Sequence, residues 1–540
     1  MNEFDDDGNL IKTHRILLSS PFEIVEQLEN LDTKETALKL KFNNKEISFS
    51  AGDLANKKGI NMLASYGVIT VESNSKLLCK YIMGYRTLNR IKESLIYDRF
   101  GWKDDGSFVL GTVKYTKDGI EKIELNVSSK QINAVHEKGT IDGWIKTTSG
   151  MMKHQNQRFK IYTAVVPTIL NIIRESNYTL SDTGKTSIGK TTTSEVALSM
   201  YGFSEELIFS GKATEVGIER TLTAFCDMPV LIDEAHNIDQ KQLDNIIYII
   251  GNGVGKLRGA KLGGVQDLNT WRTVAQMTSE NPIITESSNG GIGMRVIEIS
   301  RKGGLGATDI EAVRTFEAGK QEHYGVFAPI LVRWLISNHD KIKKIHKESL
   351  ESTRAIIGKF AFNQELAGIA ERSSNTYASI LTAGIIFEDI YKELGGEQQD
   401  AKQIVLNKFE TLLPEKELEN ITARGLNHIK SWIAANKSNF LVNGDRNTDQ
   451  EGHPLKYKIL GDITPEYYNI IPSELRYELD KAKFNMGALM NEFAESGYIR
   501  VGANGKKTRG VRIEGDVVQV YSFMRSVVDI ASPDDEKKVK

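Results

Sequence analysis

The sequence has very little cysteine, and the little it has is not arranged for a metal site or a disulfide framework. Its two cysteines, Cys79 and Cys226, lie far apart and lack the paired spacing of a zinc site. We therefore expect reduced structural thiols, as in a cytoplasmic protein. No apolar run approaches the ~18–20 residues of a membrane span, and the acidic, polar stretch Met1–Leu10 does not have the pattern of a signal peptide. These absences predict a cytoplasmic protein with no membrane partner.

An excess of positive charge is also absent. The 69 basic and 71 acidic residues nearly cancel, which leaves a formal net charge of −2. A protein that binds nucleic acid through general basicity is thereby excluded, and any such contact must come from local basic elements. Apolar residues make up 40% of the chain and charged residues 26%, as in soluble globular proteins. The length of 540 residues predicts three or four compact units.

Internal repeats and long low-complexity tracts are absent too, so the organisation must be inferred from local patterns. Apolar residues alternate on both sides of Asn43-Asn44, which predicts a β-hairpin over residues 36–49. Turn signals and alternating apolar residues predict a small sheet over residues from about 100 to 127. Short apolar runs alternate with helical patterns from 156 to about 345, as in an α/β nucleotide-binding fold. From about 346 to 435 the pattern is helical throughout.

The strongest local signal is a segment that reads G-K-T-S-I-G-K-T and fits G-x-x-x-x-G-K-[ST]. Glycines let backbone N–H groups curl around phosphates, Lys190 supplies charge to the β- and γ-phosphates, and the Thr191 hydroxyl is a ligand for Mg²⁺. The apolar run Val165–Ile173 precedes the loop, and a helical pattern follows it. The residues predicted to hold a nucleoside triphosphate are Gly184, Lys185, Thr186, Ser187, Ile188, Gly189, Lys190, Thr191 and Thr192.

A second motif, an apolar strand pattern that ends in two acids, lies downstream at residues 229–234. Asp233 would complete the Mg²⁺ site, and Glu234 would orient and deprotonate the attacking water. Two acids after a strand are common by themselves, and their position after a phosphate-binding loop gives them this meaning. A small-molecule kinase does not need the second acid as a base. The pair therefore predicts an NTP hydrolase.

Two later strand ends offer candidates for a sensor and an arginine finger. A strand pattern that begins at residue 274 ends in Ser279, Glu280 and Asn281, and the spacing does not choose the sensor among them. After a Gly-rich turn, Arg295 precedes another strand, where a finger would reach the nucleotide of a neighbouring subunit. Arg372 could be a second arginine at the nucleotide. A surface salt bridge is the alternative for Arg295, and a helix-surface charge is the alternative for Arg372.

Two basic elements could hold DNA. Lys256, Arg258 and Lys261 lie among glycines, which suits a hairpin that contacts phosphates in a ring pore. Near the C-terminus, a helix closing at Gly497, a strand Tyr498–Val501, a basic turn and another strand give the outline of a winged helix. The candidate contacts in the wing are Lys506, Lys507 and Arg509. A flexible surface loop and a winged helix that binds only protein are the alternatives.

Together these residues resemble the MCM-like, self-loading replicative helicases of staphylococcal chromosome cassettes and pathogenicity islands, within the AAA+ superfamily. The resemblance runs over most of the chain. Its specific motifs are the phosphate-binding loop and Asp233-Glu234, and softer ones include Phe100-Gly101-Trp102 and His323-Tyr324-Gly325. It implies a homo-hexamer, ATP with Mg²⁺ hydrolysed between subunits, and 3′→5′ travel on single-stranded DNA. It also implies that the loop around Lys256 is a pore hairpin and that Arg295 acts in trans.

The sequence departs from that family in two places. The sensor strand ends in Thr-Ser-Glu-Asn rather than an obvious Thr-Asn, which leaves the sensor open. The first ~150 residues lack the zinc ligands of cellular MCM proteins, so a DNA-entry collar would be built differently. The predicted fold is α/β, an AAA+ P-loop core with added regions. These regions are an N-terminal α+β region (1–150, a DNA- or partner-binding collar), the ATPase core (151–345), a helical lid or linker (346–436), and a winged helix with a tail (437–540).

The predicted function is an ATP-dependent replicative DNA helicase of a mobile genetic element. Its partners would be single-stranded DNA, a replication origin and other replication proteins that the element encodes. The alternatives are an AAA+ protein remodeller or helicase loader, and an origin-binding initiator switched by ATP. A remodeller usually presents an aromatic pore loop, whereas the candidate loop here is basic. An intact Glu234 argues against a pure switch, which does not need fast hydrolysis.

Overall fold

The computed structural model is a mixed α/β protein. It describes residues 2–8, 10–13, 18–185, 189–211, 214–256, 269–284, 290–293, 295–300, 309–359, 364–412, 421–443, 458–482, 484, 486–502 and 505–529. Five of the predicted site residues, Thr186, Ser187, Ile188, Arg258 and Lys261, lie outside these ranges. Within them, no helix combines the length and the apolar character that crossing a membrane requires.

The N-terminal elements form a mixed sheet covered by short helices. They are β1 (Asn2–Phe4), β2 (Leu10–Thr13), β3 (Glu23–Asn30), β4 (Thr36–Phe42), β5 (Lys45–Ser50), α1 (Ala51–Leu54), α2 (Lys57–Met62), α3 (Ser75–Leu88) and β6 (Lys92–Tyr97). Antiparallel β4 and β5 confirm the predicted hairpin, with Phe42 opposite Lys45. Asn43 and Asn44 adopt φ values of 47° and 59°, a left-handed conformation that asparagine tolerates in tight hairpin turns. The sheet order is β11-β6-β3-β4-β5, in which β11 (Glu124–Leu125) is a later strand parallel to β6, and β1 pairs with β2 in a separate two-stranded sheet.

A second, antiparallel sheet leads into the centre of the molecule. The elements are β7 (Gly101–Trp102), β8 (Phe108–Leu110), β9 (Val113–Tyr115), β10 (Ile120–Lys122), β11 (Glu124–Leu125), α4 (Lys130–Asn133) and α5 (Ile141–Met152). Strands β7 to β10 confirm the small sheet predicted between 100 and 127. Gly101 has a φ of 86°, and a side chain there would meet Asp227 Oδ2 at 2.4 Å. Glycine is therefore required where this sheet packs against the core.

The central part is a five-stranded parallel sheet with helices on its faces. The elements are α6 (Gln155–Ile173), β12 (Tyr178–Thr183), α7 (Lys190–Leu198), β13 (Ile208–Ser210), α8 (Glu215–Ala224), β14 (Val230–Asp233), α9 (Gln240–Asn252), β15 (Val274–Ser279), α10 (Gly290–Gly293), β16 (Val296–Ser300), α11 (Ile310–Gly319) and α12 (Phe327–Ser337). The order is β13-β14-β15-β12-β16, so β15 separates β12 from β14. The apolar run Val165–Ile173 is the second half of α6, and the strand before the loop is the more polar β12.

Helices continue after the sheet, as predicted for the described residues between 346 and 435. The elements are α13 (His339–Ile357), α14 (Gln364–Glu393), α15 (Ala401–Leu412) and α16 (Ile421–Ala435). The 30-residue α14 contacts α6, α13 and α15. It ends just before Gly395, whose φ of 88° suits a helix end that only glycine adopts easily.

The C-terminal elements form a second mixed sheet with three helices. They are β17 (Phe440–Val442), β18 (Gly461–Ile463), β19 (Tyr467–Ile470), α17 (Pro472–Lys481), α18 (Met486–Glu495), β20 (Thr508–Ile513), β21 (Asp516–Met524) and α19 (Arg525–Val528), and the sheet order is β17-β18-β19-β21-β20. The expected strand Tyr498–Val501 was wrong, since only Ile499 forms a bridge, to Phe523. Strand β20 occupies the edge of β21 as far as Tyr521, which leaves room for no more than that bridge.

Three large hydrophobic clusters hold these elements together. The first lies under the N-terminal hairpin and runs from Ile24 to Ile82. The second runs from Tyr97 to Phe409 and includes both faces of the central sheet. The third runs from Leu426 to Val528. Residues 97–152 therefore share their core with the central sheet, although the sequence pattern groups them with the N-terminal region.

Candidate nucleotide-binding site

The predicted phosphate-binding loop connects β12 to α7 at the carboxyl edge of the central sheet. Gly189 precedes the helix with a φ of 78°, and Lys190 is the first helical residue. The Lys190 ammonium donates to the carbonyls of Gly184 and Lys185 at 2.7 and 2.8 Å, so its charge is held inside the loop. The N–H groups at the start of a helix, together with this charge, favour a phosphate.

The first acid of the second motif lies directly against this helix. Asp233 ends β14, and Thr191 Oγ1 donates to its two carboxylate oxygens at 3.1 and 3.3 Å. Two hard oxygen donors within contact distance suit Mg²⁺, which usually takes one or two protein ligands and completes its shell with phosphates and waters. Among the described residues, no group of three or more His, Cys, Asp or Glu could hold a metal by itself. The donor set therefore fits a metal bound together with nucleotide.

The second acid has an unusual backbone. Glu234 has a φ of 55° and a ψ of 46°, in the left-handed region that non-glycine residues seldom adopt. Its N–H donates to Thr278 Oγ1 at 3.1 Å, and its carboxylate accepts from Asn237 Nδ2 at 3.1 Å. These bonds direct the strand end out of the sheet and leave Glu234 in the wall of the cleft.

The cleft between these groups has a volume of about 450 Å³. One wall carries Lys190, Asp233 and Glu234, and α11 contributes Ile310, Val313 and Arg314 to the opposite wall. Sequence reasoning missed the α11 residues, because they lie far downstream of both motifs and belong to no motif of their own. Ile310 is 69% exposed, so it adds apolar surface to the cleft.

The polar end of β15 separates the sensor candidates. Ser279 and Glu280 line the cleft, whereas Asn281 is not among the described residues that line it. Ser279 Oγ donates to the Asn281 carbonyl at 2.6 Å, away from the acids. Thr278, which the sequence reading passed over, contacts Asp233 with its hydroxyl and accepts from the Glu234 N–H. Thr278 comes one residue before Ser279, the first of the sensor candidates, and this position at the polar end of β15 is the sequence signal that could have identified it.

The two candidate arginines lie elsewhere. Arg295 precedes β16, its guanidinium carbon stacks 4.7 Å from the Tyr248 ring centre, and Nη2 donates to Asn252 Oδ1 at 3.3 Å. Arg295, Arg372 and Tyr178 line a second cavity of about 250 Å³. Because Tyr178 begins β12, this cavity lies at the amino edge of the sheet, opposite the cleft. Neither arginine reaches the cleft of its own chain.

The basic elements are only partly described. Lys256 forms an ion pair of 2.5 Å with Glu215 Oε2, and its side chain is 64% exposed. In the C-terminal sheet, Lys506 and Lys507 precede β20, and the Lys507 ammonium contacts Asn491 of α18.

Arg509 was expected in the wing turn but lies on β20. It donates to Ser522 Oγ at 2.7 Å and to Asn469 Oδ1 at 3.2 Å, and it stacks 4.6 Å from the Tyr467 ring centre. Burial lowers the pKa of its guanidinium, and the nearby Arg500 adds to that effect. The pairing of β20 with β21 continues to Ile513 opposite Asp516, so the chain reverses direction only after Ile513. Arg509 therefore lies within the paired part of β20 and not in the turn.

Comparisons with known proteins extend this picture. Residues 2–270 match the family model of a domain of unknown function, DUF927, and residues 420–525 match that of the Cch helix turn helix domain. The solved structure of SCCmec type IV Cch, described as an active helicase, aligns with a TM-score of 0.67 at 20% identity, covering 95% of this chain and 96% of that one. The C-terminal region of NrS-1 aligns with a TM-score of 0.26 at 10% identity, covering 72% and 92%, and carries no argument. No curated protein sequence matches. The resemblance to a helicase of the staphylococcal chromosome cassette is confirmed at the level of the fold.

Proposed function

We propose that this chain is an ATP-dependent replicative DNA helicase of a mobile genetic element, with an AAA+ P-loop core and a C-terminal winged helix. The observation that carries the proposal is that Lys190, Thr191, Asp233 and Glu234 meet in one cleft at the carboxyl edge of a parallel sheet. The shared fold with Cch, described as an active helicase, supports DNA unwinding as the use of that chemistry.

Each residue in the cleft has a distinct task in hydrolysis. Lys190 neutralises the charge of the terminal phosphates, and Thr191 and Asp233 would hold Mg²⁺. When bound, the metal supplies positive charge to the phosphate oxygens. Glu234 orients the attacking water and accepts its proton. Thr278 holds both acids in place through its hydroxyl. In this scheme Arg314, on the facing helix, is a further cation within reach of the nucleotide.

The position of Arg295 and Arg372 supports a ring assembly. Both lie at the edge of the sheet opposite the cleft, so either could contact nucleotide only on a neighbouring subunit. A repeated head-to-tail contact that closes on itself produces a ring. We therefore propose a homo-hexamer in which Arg295 is the finger, with Arg372 beside it.

The proposed division of labour follows the predicted regions. Residues 1–150 would form a collar that binds DNA or a partner, 151–345 the ATPase core, 346–436 a lid or linker, and 437–540 the winged-helix domain and tail. In the ring, Lys256, Arg258 and Lys261 would line the pore and contact single-stranded DNA during 3′→5′ travel. Lys506 and Lys507 would contact the backbone of origin DNA. Other replication proteins of the element would be further partners of the helicase. Arg509 would support the wing from the sheet.

The first test is steady-state ATP hydrolysis with and without single-stranded DNA, for the parent and for Glu234→Gln. We expect DNA to stimulate the parent several-fold, and we expect the variant to lose on the order of 10²–10⁴ of the rate because the general base is gone. A polarity-resolved unwinding assay would then measure direction. Hydrolysis indifferent to DNA would contradict the helicase and favour a protein remodeller. ATP binding without hydrolysis by the parent would favour an initiator that uses ATP as a switch.

A further inference from the structure

A second lysine lies beneath the phosphate-binding loop, outside the motif. Lys160 is in the first half of α6, and its side chain is 1% exposed. Its ammonium lies 2.6 Å from Asp182 Oδ2. It also donates to the Lys190 carbonyl at 2.8 Å, to Thr193 Oγ1 at 2.7 Å and to Ser194 Oγ at 2.9 Å. A single buried charge thus contacts four groups that lie on both sides of one loop.

The four contacts have a particular arrangement along the chain. Asp182 lies in β12, two residues before the loop begins at Gly184, and Lys190 is the first residue of the helix after it. Lys160 therefore joins the strand that enters the loop to the first turn of the helix that leaves it. That turn presents the N–H groups that bind phosphate, so its position relative to the strand sets the shape of the phosphate site.

Neighbouring contacts keep Lys160 in this place. Gln276 of β15 donates to the Lys160 carbonyl at 3.0 Å, and Gln157 donates to the Thr193 carbonyl at 2.9 Å. Burial lowers the pKa of the Lys160 ammonium, and Asp182 opposes that effect. A buried ion pair generally adds little net stability over apolar residues of similar volume. Stability alone is thus a weak reason for a lysine at this position.

We propose that Lys160 is a positioning residue for nucleotide binding, which fixes the phosphate-binding loop by tying Asp182 to the first turn of α7. The inference rests on the proposed nucleotide site. This role differs from those proposed for the cleft residues, since Lys160 does not line the cleft and acts through Lys190, Thr193 and Ser194.

The same helix supplies a matched control. Arg158 is also 1% exposed and forms an ion pair of 2.7 Å with Glu388, but that pair anchors α14 rather than the loop. Removing a lysine alone would leave Asp182 buried without its ammonium partner, which is costly. The test therefore uses two neutralised pairs, Lys160→Met with Asp182→Asn and Arg158→Met with Glu388→Gln. Both remove one buried cation and one buried carboxylate from full-length protein.

The readouts are the affinity for Mg-ADP, measured with a fluorescent ADP analogue, and the thermal midpoint. We expect both pairs to shift the midpoint by similar amounts. Only the Lys160 pair should weaken Mg-ADP binding, by about tenfold or more, because the hydrogen bonds of a charged donor to the helix turn are lost. Parent-like affinity in the Lys160 pair, or an equal loss in the Arg158 pair, would overturn the proposal.

This assay separates the inference from the proposed function. Binding of Mg-ADP requires neither DNA nor a ring, so a parent that binds nucleotide without DNA-stimulated hydrolysis would contradict only the helicase. A parent that binds no nucleotide would overturn both. A Lys160 pair that binds weakly but melts no lower than the Arg158 pair would support the positioning role, whatever the DNA assay gives.

Discussion

The two edges of the central sheet carry different kinds of site. At the carboxyl edge, Thr191 donates to Asp233, and Thr278 contacts both Asp233 and the backbone of Glu234, so the proposed Mg²⁺ ligands and base form one hydrogen-bonded group. At the amino edge, Arg295 contacts an aromatic ring and an amide, and it shares a polar cavity with Arg372. In the proposed function, one edge holds a nucleotide and the other presents cations to the nucleotide of a neighbouring subunit.

This difference bears on what a single chain can do. Cations stabilise the charge that develops on a transferred phosphoryl group, and the arginine is often supplied by a neighbour. Because the two edges of one sheet face apart, a lone subunit would have half of such a site, and the proposed ring of subunits would have the whole of it. This difference between the edges can be tested by inactivating one edge in one chain and the other edge in a second chain.

The largest effect is expected for Arg295→Ala. Loss of a finger typically costs 10³–10⁵ in rate, so we expect hydrolysis to fall by about 10³ while ATP binding is retained. Glu234→Gln is the matched substitution at the carboxyl edge, where it removes the proposed base. Mixing the two inactive variants should restore part of the hydrolysis, because some interfaces then pair an intact Glu234 with an intact Arg295.

The control for this mixture is a single chain that carries both substitutions, mixed with itself. It has no intact interface and should stay inactive. If the two single variants also fail to complement at concentrations where rings are seen by light scattering, the finger does not act between subunits, and the two edges are not halves of one site.

An intermediate effect is expected for Thr278→Val. This change keeps the shape of the side chain and removes the hydroxyl that contacts Asp233 and accepts from the Glu234 N–H. Groups that orient metal ligands typically contribute 10–100-fold to activity, so we expect a loss of roughly that size in kcat. Thr278→Ser, which keeps the hydroxyl, should retain most of the activity. Equal losses in both variants would show that packing at β15, rather than the hydroxyl, is what matters.

Most of the carboxyl edge could be predicted from the sequence, because its chemistry fixes residue types at short spacing. Lys190 and Thr191 are adjacent, and so are Asp233 and Glu234. The hairpin at Asn43-Asn44 was predictable for the same reason, since a tight turn has a local signature. The relation between the two motifs was also predictable, because carboxyl ends of parallel strands meet at one edge.

The remaining features depend on distant partners. Strand β12 is too polar to be recognised, because Asp182 is matched by Lys160 on α6 and Ser181 by Glu298 on β16. Each partner is distant in the sequence, so the pairing can be recognised only once the fold is known. Arg314 reaches the cleft only because α11 packs there. In the C-terminal sheet, β17, β18 and β19 have three or four residues each and are too short to show a reliable period.

The smallest effect, and the sharpest test of the amino edge, concerns Arg372. It shares the cavity with Arg295, so Arg372→Ala should lower hydrolysis by about tenfold through loss of a second, more peripheral cation. Arg354→Ala is a matched control, since Arg354 is also in the helical region but pairs with Glu371 at the surface, where its side chain is 53% exposed. That control should change activity little. If the two substitutions have the same effect on steady-state hydrolysis, Arg372 is only a helix-surface charge, and the amino edge presents Arg295 alone to the neighbouring nucleotide.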